Sequence, residues 1–175
     1  VSTASRTSLV NINTLQWDPM LCDIFGVPME CLPEICSTTG NFGQLKTAAG
    51  LIPITASIVD QQAALFGFGC RQPSDVKITF GTGAVAQVIT GPELNTHLNS
   101  SLLHTVAWQL GQEPTVQALD GGVYIASVAL NWAHSLGLFS DFSQINHFKS
   151  PPIIEQGLVF VPALSGLGCS YVVVN

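Results

Sequence analysis

A nine-residue apolar stretch that ends at a carboxylate most constrains the fold of this chain. Residues 51–59, LIPITASIV, have the length and β-branched composition of a buried strand, and Asp60 follows directly. Residues 61–67 continue as a predicted helix, whose apolar positions are Ala63, Ala64, Phe66 and Gly67. Open α/β sheets bind their ligands where strands end, so the chain is predicted to be α/β with a candidate site at Asp60.

Composition restricts the surroundings of this fold. The chain has 175 residues, of which 47% are hydrophobic and 9% charged, and its mean hydropathy is +0.42. Such an apolar chain either lacks a partner surface or enters a membrane. The longest apolar segment, residues 121–139, is interrupted by Ser127, Asn131 and His134 and lacks basic flanks. A buried helix is therefore predicted there, with no membrane span, and a start at Val1 without Met suggests a fragment.

Charge and cysteine content exclude further classes. The net charge of −6 without a basic stripe argues against nucleic acid as a partner. The five cysteines have no CxxC pair and the four histidines have no metal spacing, so no zinc site is predicted and metal ligands stay unknown. We therefore interpret the five cysteines as buried, reduced thiols of a cytoplasmic protein. No GxSxG or Walker motif is present.

Local signals predict the remaining elements. Asp18 should cap a short helix that starts at Pro19, presents Leu21, Ile24 and Phe25 at helical spacing, and ends near Gly26. The other predicted elements, in chain order, are a loop or weak hairpin at 37–50, a hinge-like boundary at 70–75, a hairpin at 76–90, strands at 104–111 and 114–120, a helix at 122–136 and a last strand at 158–164. In the hairpin, Val76, Ile78 and Phe80 should face one way, and Lys77 and Thr79 the other.

Asp60 and Gln61 form the first candidate site. An Asp at a helix start is more often an N-cap than a catalytic group. The two roles are compatible, because the positive end of a helix keeps a carboxylate ionised, and an ionised carboxylate can take a proton from an alcohol. Gln61 offers a hydrogen-bond donor and an acceptor to a polyol hydroxyl.

Two further candidate sites are weaker. Gly81, Thr82 and Gly83 form a turn whose backbone could approach an anion, although most glycine-rich hairpin turns bind nothing. Ser127 and Asn131 are four residues apart and share a helix face, so they could contact one ligand or merely satisfy nearby backbone groups.

Six segments, in collinear order over nearly the whole chain, resemble the FGGY carbohydrate kinases. The resemblance is strongest to the members of this family that act on glycerol. They are TASRTSLVNINTLQWD, VDQQAALFGFGC, VKITFGTG, LHTVAWQLG, ALDGGVYIASVALNW and VFVPALSGLG. The resemblance implies an actin-like ATPase fold, of ribonuclease H-like type, with two lobes and a cleft; this chain would be incomplete, with residues 1–71 ending the first lobe and residues 72–175 beginning the second.

The resemblance also implies roles. Asp60 would deprotonate a primary hydroxyl of a polyol, glycerol first among them, and Gln61 would contact this substrate. The turn Gly81–Gly83 would contact the nucleotide phosphates, with Ser127 and Asn131 beside the nucleotide. ATP with Mg²⁺ is the implied phosphoryl donor. The chain alone is expected to be inactive, and its oligomeric state, including a homo-oligomer, stays open.

Three positions depart from the family pattern, since Val59 and Ser127 replace Gly and Asn131 replaces Gln. The tail GCSYVVVN diverges as well, and the upstream phosphate-binding turn is absent. These departures keep two alternatives open: a non-catalytic relative that binds a ligand or mediates assembly, and a kinase for another sugar.

Overall fold

The computed structural model describes residues 1–91, 102–147, 150–151, 153–159, 161, 163 and 165–166. It divides the chain into two compact units. The first comprises Val1–Lys77 and Gln87–Asp120, and the second comprises Ile78–Ala86 and Gly121–Asn175. The predicted division near residue 71 concerned the lobes of a larger fold and stays a prediction.

The first unit begins with short elements. A 3₁₀ turn spans Ala4–Arg6, and strands β1 and β2 pair antiparallel before helix α1. The bounds are Val10–Asn11 for β1, Gln16–Trp17 for β2 and Pro19–Ile24 for α1. Asp18 Oδ1 accepts hydrogen bonds from the Met20 and Leu21 amides at 2.9 and 3.4 Å, which confirms the predicted cap. The buried residue of α1 is Cys22, whereas Ile24 and Phe25 are exposed.

The stretch before Asp60 differs from its prediction. Strand β3, Gln44–Thr47, pairs antiparallel with β4, Gly50–Pro53, so a hairpin is present, but its second strand extends beyond the predicted range 37–50. The strand predicted for residues 51–59 ends at Pro53, because proline has no amide hydrogen to continue a ladder. All four residues of β4 are exposed, so the expectation of a buried strand leading directly into Asp60 is wrong.

Helix α2 spans Asp60–Gly67, one residue earlier at its start than the predicted 61–67. Its buried face is Gln62 and Leu65 rather than the predicted apolar positions, which are half-buried except for exposed Gly67. Leu65 lies in the core of the first unit, together with Cys70, Ile89, Ala107, Trp108 and Ala118. The packed face of α2 therefore consists of Gln62 and Leu65, which are three residues apart.

A four-stranded sheet has the order β5-β6-β8-β7. Its strands are Val76–Phe80, Ala84–Gly91, Leu103–Trp108 and Val116–Val123 for β5, β6, β7 and β8. The predicted hairpin and the two predicted strands are thus confirmed, and β7 and β8 pair antiparallel. The side chains of β5 alternate as predicted, but the buried one is Lys77, whereas Val76, Ile78 and Phe80 are exposed.

The segment between α2 and β5 is a hydrogen-bonded turn. The Arg71 guanidinium lies 3.4 Å from the centroid of the Phe66 ring and donates to the Phe66 carbonyl. Asp75 Oδ2 accepts from the Arg71 and Gln72 amides at 2.7 and 2.9 Å. These two backbone hydrogen bonds lower the pKa of Asp75, with Gln72 contributing most.

In the second unit, helix α3 spans Ser127–Ser135, which is shorter than the predicted 122–136 because β8 continues to Val123. None of its residues is buried, so the expected buried helix is wrong for the structure described. Two 3₁₀ turns follow, Phe142–Asn146 and Ile153–Gln156. The predicted strand at 158–164 lies partly outside the described residues. No helix among the described residues is long and apolar enough to cross a bilayer.

Candidate substrate and nucleotide sites

Asp60 is the first residue of α2, one position after the N-cap. Val59 occupies the cap position with an extended backbone, φ −69° and ψ 145°, and makes no side-chain cap. Asp60 Oδ1 instead accepts from the Gln61 amide at 2.7 Å. The predicted side-chain cap is therefore wrong by one residue, although the carboxylate still lies at the positive end of the helix, exposed to solvent. An exposed, oriented carboxylate can accept a proton from a bound alcohol.

Gln61 is held by a lysine that is not among the predicted site residues. Lys77 Nζ donates to Gln61 Oε1 at 3.1 Å and to the Gln61 main-chain carbonyl at 3.4 Å. Lys77 is 8% exposed and lies on β5, whereas Gln61 is half-buried at the start of α2. A lysine on an alternating strand gave no sign of this contact, since solvent is its usual environment.

The third residue of the DQQ triplet is structural. Gln62 is fully buried, and its Nε2 donates to Thr105 Oγ1 on β7 at 3.3 Å. The Ser5 hydroxyl lies 3.0 Å from the same Thr105 oxygen and accepts from the Val106 amide at 3.1 Å. This network ties the start of α2 to β7 and to the N-terminal segment, and so fixes where Asp60 stands.

The adjacent Arg6 makes an ion pair that also anchors the N-terminal segment. Arg6 Nη1 donates to Asp120 Oδ2 at 2.9 Å, and the Asp120 side chain is 9% exposed. A nearly buried carboxylate needs such a partner because desolvation otherwise disfavours its charge. The Ser5–Arg6 pair of the SRT sequence therefore serves packing within the first unit.

In the second unit, the glycine turn contacts the start of α3. The Ala126 amide donates to the Thr82 carbonyl at 2.9 Å, and the Ser127 amide donates to the Gly81 carbonyl at 3.2 Å. Four of the five predicted nucleotide residues, Gly81, Thr82, Gly83 and Ser127, are thus brought together. Asn131 lies one helical turn beyond Ser127, and both are exposed.

The two glycines of this turn have different reasons to be glycine. A Cβ on Gly83 would lie 2.5 Å from the Val123 carbonyl oxygen and 3.1 Å from that of Tyr124. A Cβ on Gly81 would meet nothing closer than 3.7 Å. Packing against the end of β8 therefore explains Gly83, and the open side of the turn lies at Gly81.

The open side of the glycine turn carries one exposed hydroxyl. The Thr82 hydroxyl is exposed and has no hydrogen-bond partner in the described structure, and the space at Gly81 is open. Within the described ranges, no three His, Cys, Asp or Glu side chains form a metal-binding group. The cysteines described are free, with Cys22 and Cys70 buried and Cys31 and Cys36 exposed, so the prediction of buried thiols holds for two of them.

Comparisons with known proteins first define the class. The crystal structure of Plasmodium falciparum glycerol kinase with ADP matches with a TM-score of 0.83 and 35% identity, over 97% of this chain and 35% of that one. A xylulose kinase from Lactobacillus acidophilus matches with a TM-score of 0.74 at 24% identity, which shows the fold alone. The chain therefore has the actin-like ATPase fold of sugar kinases.

The sequences then define the family. Residues 1–67 match the N-terminal domain of the FGGY family of carbohydrate kinases. The glycerol kinases of Mycoplasma genitalium and Geobacter sp. (strain M21) are each 42% identical over 98% of this chain and 35% of their own length. The chain belongs to the FGGY family of carbohydrate kinases, and it spans about a third (35%) of the length of the curated relatives it matches.

Proposed function

We propose that this chain carries the catalytic base and part of the nucleotide site of an ATP-dependent polyol kinase, with glycerol as the preferred polyol. One observation carries the proposal: the exposed Asp60 carboxylate at the positive end of α2, oriented by the Gln61 amide at 2.7 Å. The 42% identity to glycerol kinases favours glycerol over other polyols.

In the proposed reaction, Asp60 accepts the proton of a primary hydroxyl. The freed oxygen forms a bond to the γ-phosphorus of ATP, the bond from that phosphorus to the β,γ-bridging oxygen breaks, and ADP leaves. The products are the polyol phosphate, ADP and one proton. Mg²⁺, when bound, would supply charge neutralisation. Alignment of the attacking hydroxyl with the γ-phosphorus supplies much of the rate enhancement. Gln61 is assigned the task of holding the polyol in this alignment.

The nucleotide side of the proposal rests on the glycine turn. The exposed Thr82 hydroxyl can donate to a phosphate oxygen, and the open space at Gly81 lets that phosphate approach the backbone. Ser127 and Asn131 present polar groups from adjacent turns of α3 on the same face. The amides of Ala126 and Ser127 already donate to the turn, so they are not assigned to the phosphates.

A chimaera tests the proposal. We expect the 175-residue chain alone to be inactive, because its relatives are about three times longer; this chain should therefore replace the matched segment of the Geobacter glycerol kinase. The chimaera should phosphorylate glycerol. Asp60→Asn should lower kcat about a hundredfold to ten-thousandfold, the usual effect of losing a general base, and should leave ADP affinity unchanged.

Asp23→Asn is the matched control, since Asp23 is an exposed carboxylate on α1. It should keep full turnover. If Asp60→Asn retains the parent kcat, Asp60 is not the base and the proposal fails.

The departures at Val59 and Ser127 support a second candidate, a relative that binds its ligands without turnover. A chimaera that binds ADP and glycerol but forms no glycerol phosphate would establish this candidate. Faster phosphorylation of a pentulose or a hexonate than of glycerol would instead assign another sugar as substrate.

The free cysteines among the described residues fit a reducing compartment, which supports the proposed cytoplasmic location.

A further inference from the structure

Lys77 is a buried cation whose hydrogen bonds go to a neutral side chain. Lys77 is 8% exposed. The salt bridge found in the described part of the chain joins Arg6 to Asp120 and does not involve Lys77. Lysine is almost never fully buried unless it is paired. The contacts of Lys77 Nζ are Gln61 Oε1 at 3.1 Å and the Gln61 carbonyl at 3.4 Å, so both lie on the residue next to Asp60.

The chemistry of the ammonium group fixes the orientation of the Gln61 carboxamide. An ammonium donates hydrogen bonds and accepts none, so the Gln61 atom that it contacts must be the oxygen. The carboxamide nitrogen then points away from Lys77.

We propose that Lys77 is a positioning residue for the polyol site, an inference that rests on the function proposed above. By holding Gln61 Oε1, it presents the N–H donors of Gln61 to the polyol. The polyol therefore accepts a hydrogen bond from Gln61 while another of its hydroxyls, or the same one, donates to Asp60. Lys77 touches neither the polyol nor the phosphates in this role.

Kinetics of the chimaera test this role. Lys77→Met keeps the length of the side chain and removes the donors. It should raise the KM for glycerol about tenfold to a hundredfold, the range expected for losing a hydrogen bond to a charged group. The KM for ATP should stay within about twofold, as should kcat and its pH profile. Lys46→Met, at an exposed lysine on β3, is the matched control and should change neither KM.

A double-mutant cycle separates positioning from general packing. If Lys77 acts through Gln61, adding Lys77→Met to Gln61→Met should raise the KM for glycerol no further than Gln61→Met alone. If the two increases multiply, or if Lys77→Met raises the KM values for glycerol and ATP equally, the inference is wrong and Lys77 is structural.

A second measurement does not depend on catalysis. In the ¹⁵N-labelled 175-residue chain, Gln61→Met identifies the Gln61 side-chain NH₂ signals by their loss. Lys77→Met should shift these signals and speed their rotation, whereas Lys46→Met should leave them in place. Unchanged Gln61 signals in Lys77→Met would overturn the inference. An inactive chimaera would overturn the proposed function, and the NH₂ signals would still decide whether Lys77 holds Gln61.

Discussion

Gly83→Ala tests the geometry of the glycine turn most directly. The added Cβ would lie 2.5 Å from the Val123 carbonyl oxygen and 3.1 Å from that of Tyr124, where ordinary contacts begin at 3.4 Å. Both obstacles are backbone atoms, which cannot rotate away as a side chain could. The turn must therefore move by nearly an ångström from the end of β8.

The free-energy cost follows from two contributions. Overpacking of this kind costs about 1–3 kcal/mol. The same movement stretches the hydrogen bonds from the Ala126 and Ser127 amides to the turn carbonyls, each worth about 0.5–1.5 kcal/mol. We expect Gly83→Ala to destabilise this region by about 3 kcal/mol, which combines mid-range overpacking with partial loss of both bonds.

Hydrogen exchange of the 175-residue chain measures this cost locally. Exchange of the Ala126 and Ser127 amides should accelerate about a hundredfold in Gly83→Ala, because each tenfold change corresponds to about 1.4 kcal/mol. Gly81→Ala is the matched control, since its Cβ meets nothing within 3.7 Å and its backbone is not left-handed. It should change exchange less than about fivefold. Equal exchange rates in the two variants would refute the packing explanation for Gly83.

Two further predictions concern the first unit. Arg6→Met should lower the free energy of unfolding by about 2 kcal/mol in urea titrations; a broken buried pair costs about 3–5 kcal/mol, but the Arg6 side chain is 35% exposed and the value is discounted accordingly. Asp75→Asn should be less stable than the parent chain at neutral pH, and this loss should disappear at low pH. The hydrogen bonds from the Gln72 and Arg71 amides lower the pKa of Asp75 from 3.8, so the native chain has this stabilisation above pH 3.8 and loses it as the pH falls through the lowered pKa. Thermal unfolding of the parent chain and of Asp75→Asn, measured at pH 7 and at decreasing pH, should show that the difference in their Tm shrinks as the pH falls. A difference in Tm that stays constant with pH would contradict this prediction.

Local signals predicted the elements well. Asp18 before Pro19 marked the start of α1, Gly67 marked the end of α2, and Gly81 and Gly83 marked the turn between β5 and β6. Each of these signals acts over a few residues, through a cap hydrogen bond or a permitted backbone conformation. For the same reason the predicted helix 61–67 agrees with α2, Asp60–Gly67, to within one residue.

Burial was predicted poorly because it depends on distant partners. Gln62 lies inside, where Thr105, 43 residues away, accepts a hydrogen bond from its Nε2, and Ser5 reaches the same hydroxyl across 100 residues. Hydrophobic spacing alone had favoured the alanines and Phe66 for the inner face of α2. On β5 the alternation was predicted, but a strand pattern cannot tell which of its two faces packs. Lys77 is buried where Gln61 accepts two hydrogen bonds from its ammonium group, a contact that spans 16 residues.

The structure also bears on the departures from the family pattern that favoured a non-catalytic relative. A glycine replaced at a left-handed position would impose strain, yet Val59 has φ −69° and ψ 145°, a conformation open to any residue. Ser127 begins α3, where its side chain is exposed and its backbone helical. Neither substitution therefore displaces the groups that the proposed reaction uses, since Asp60 keeps its bond to the Gln61 amide and the turn keeps its contact with the Ser127 amide. A loss of turnover would have to come from side-chain bulk against a bound ligand, and the prediction for this chain is that the catalytic role of Asp60 is retained.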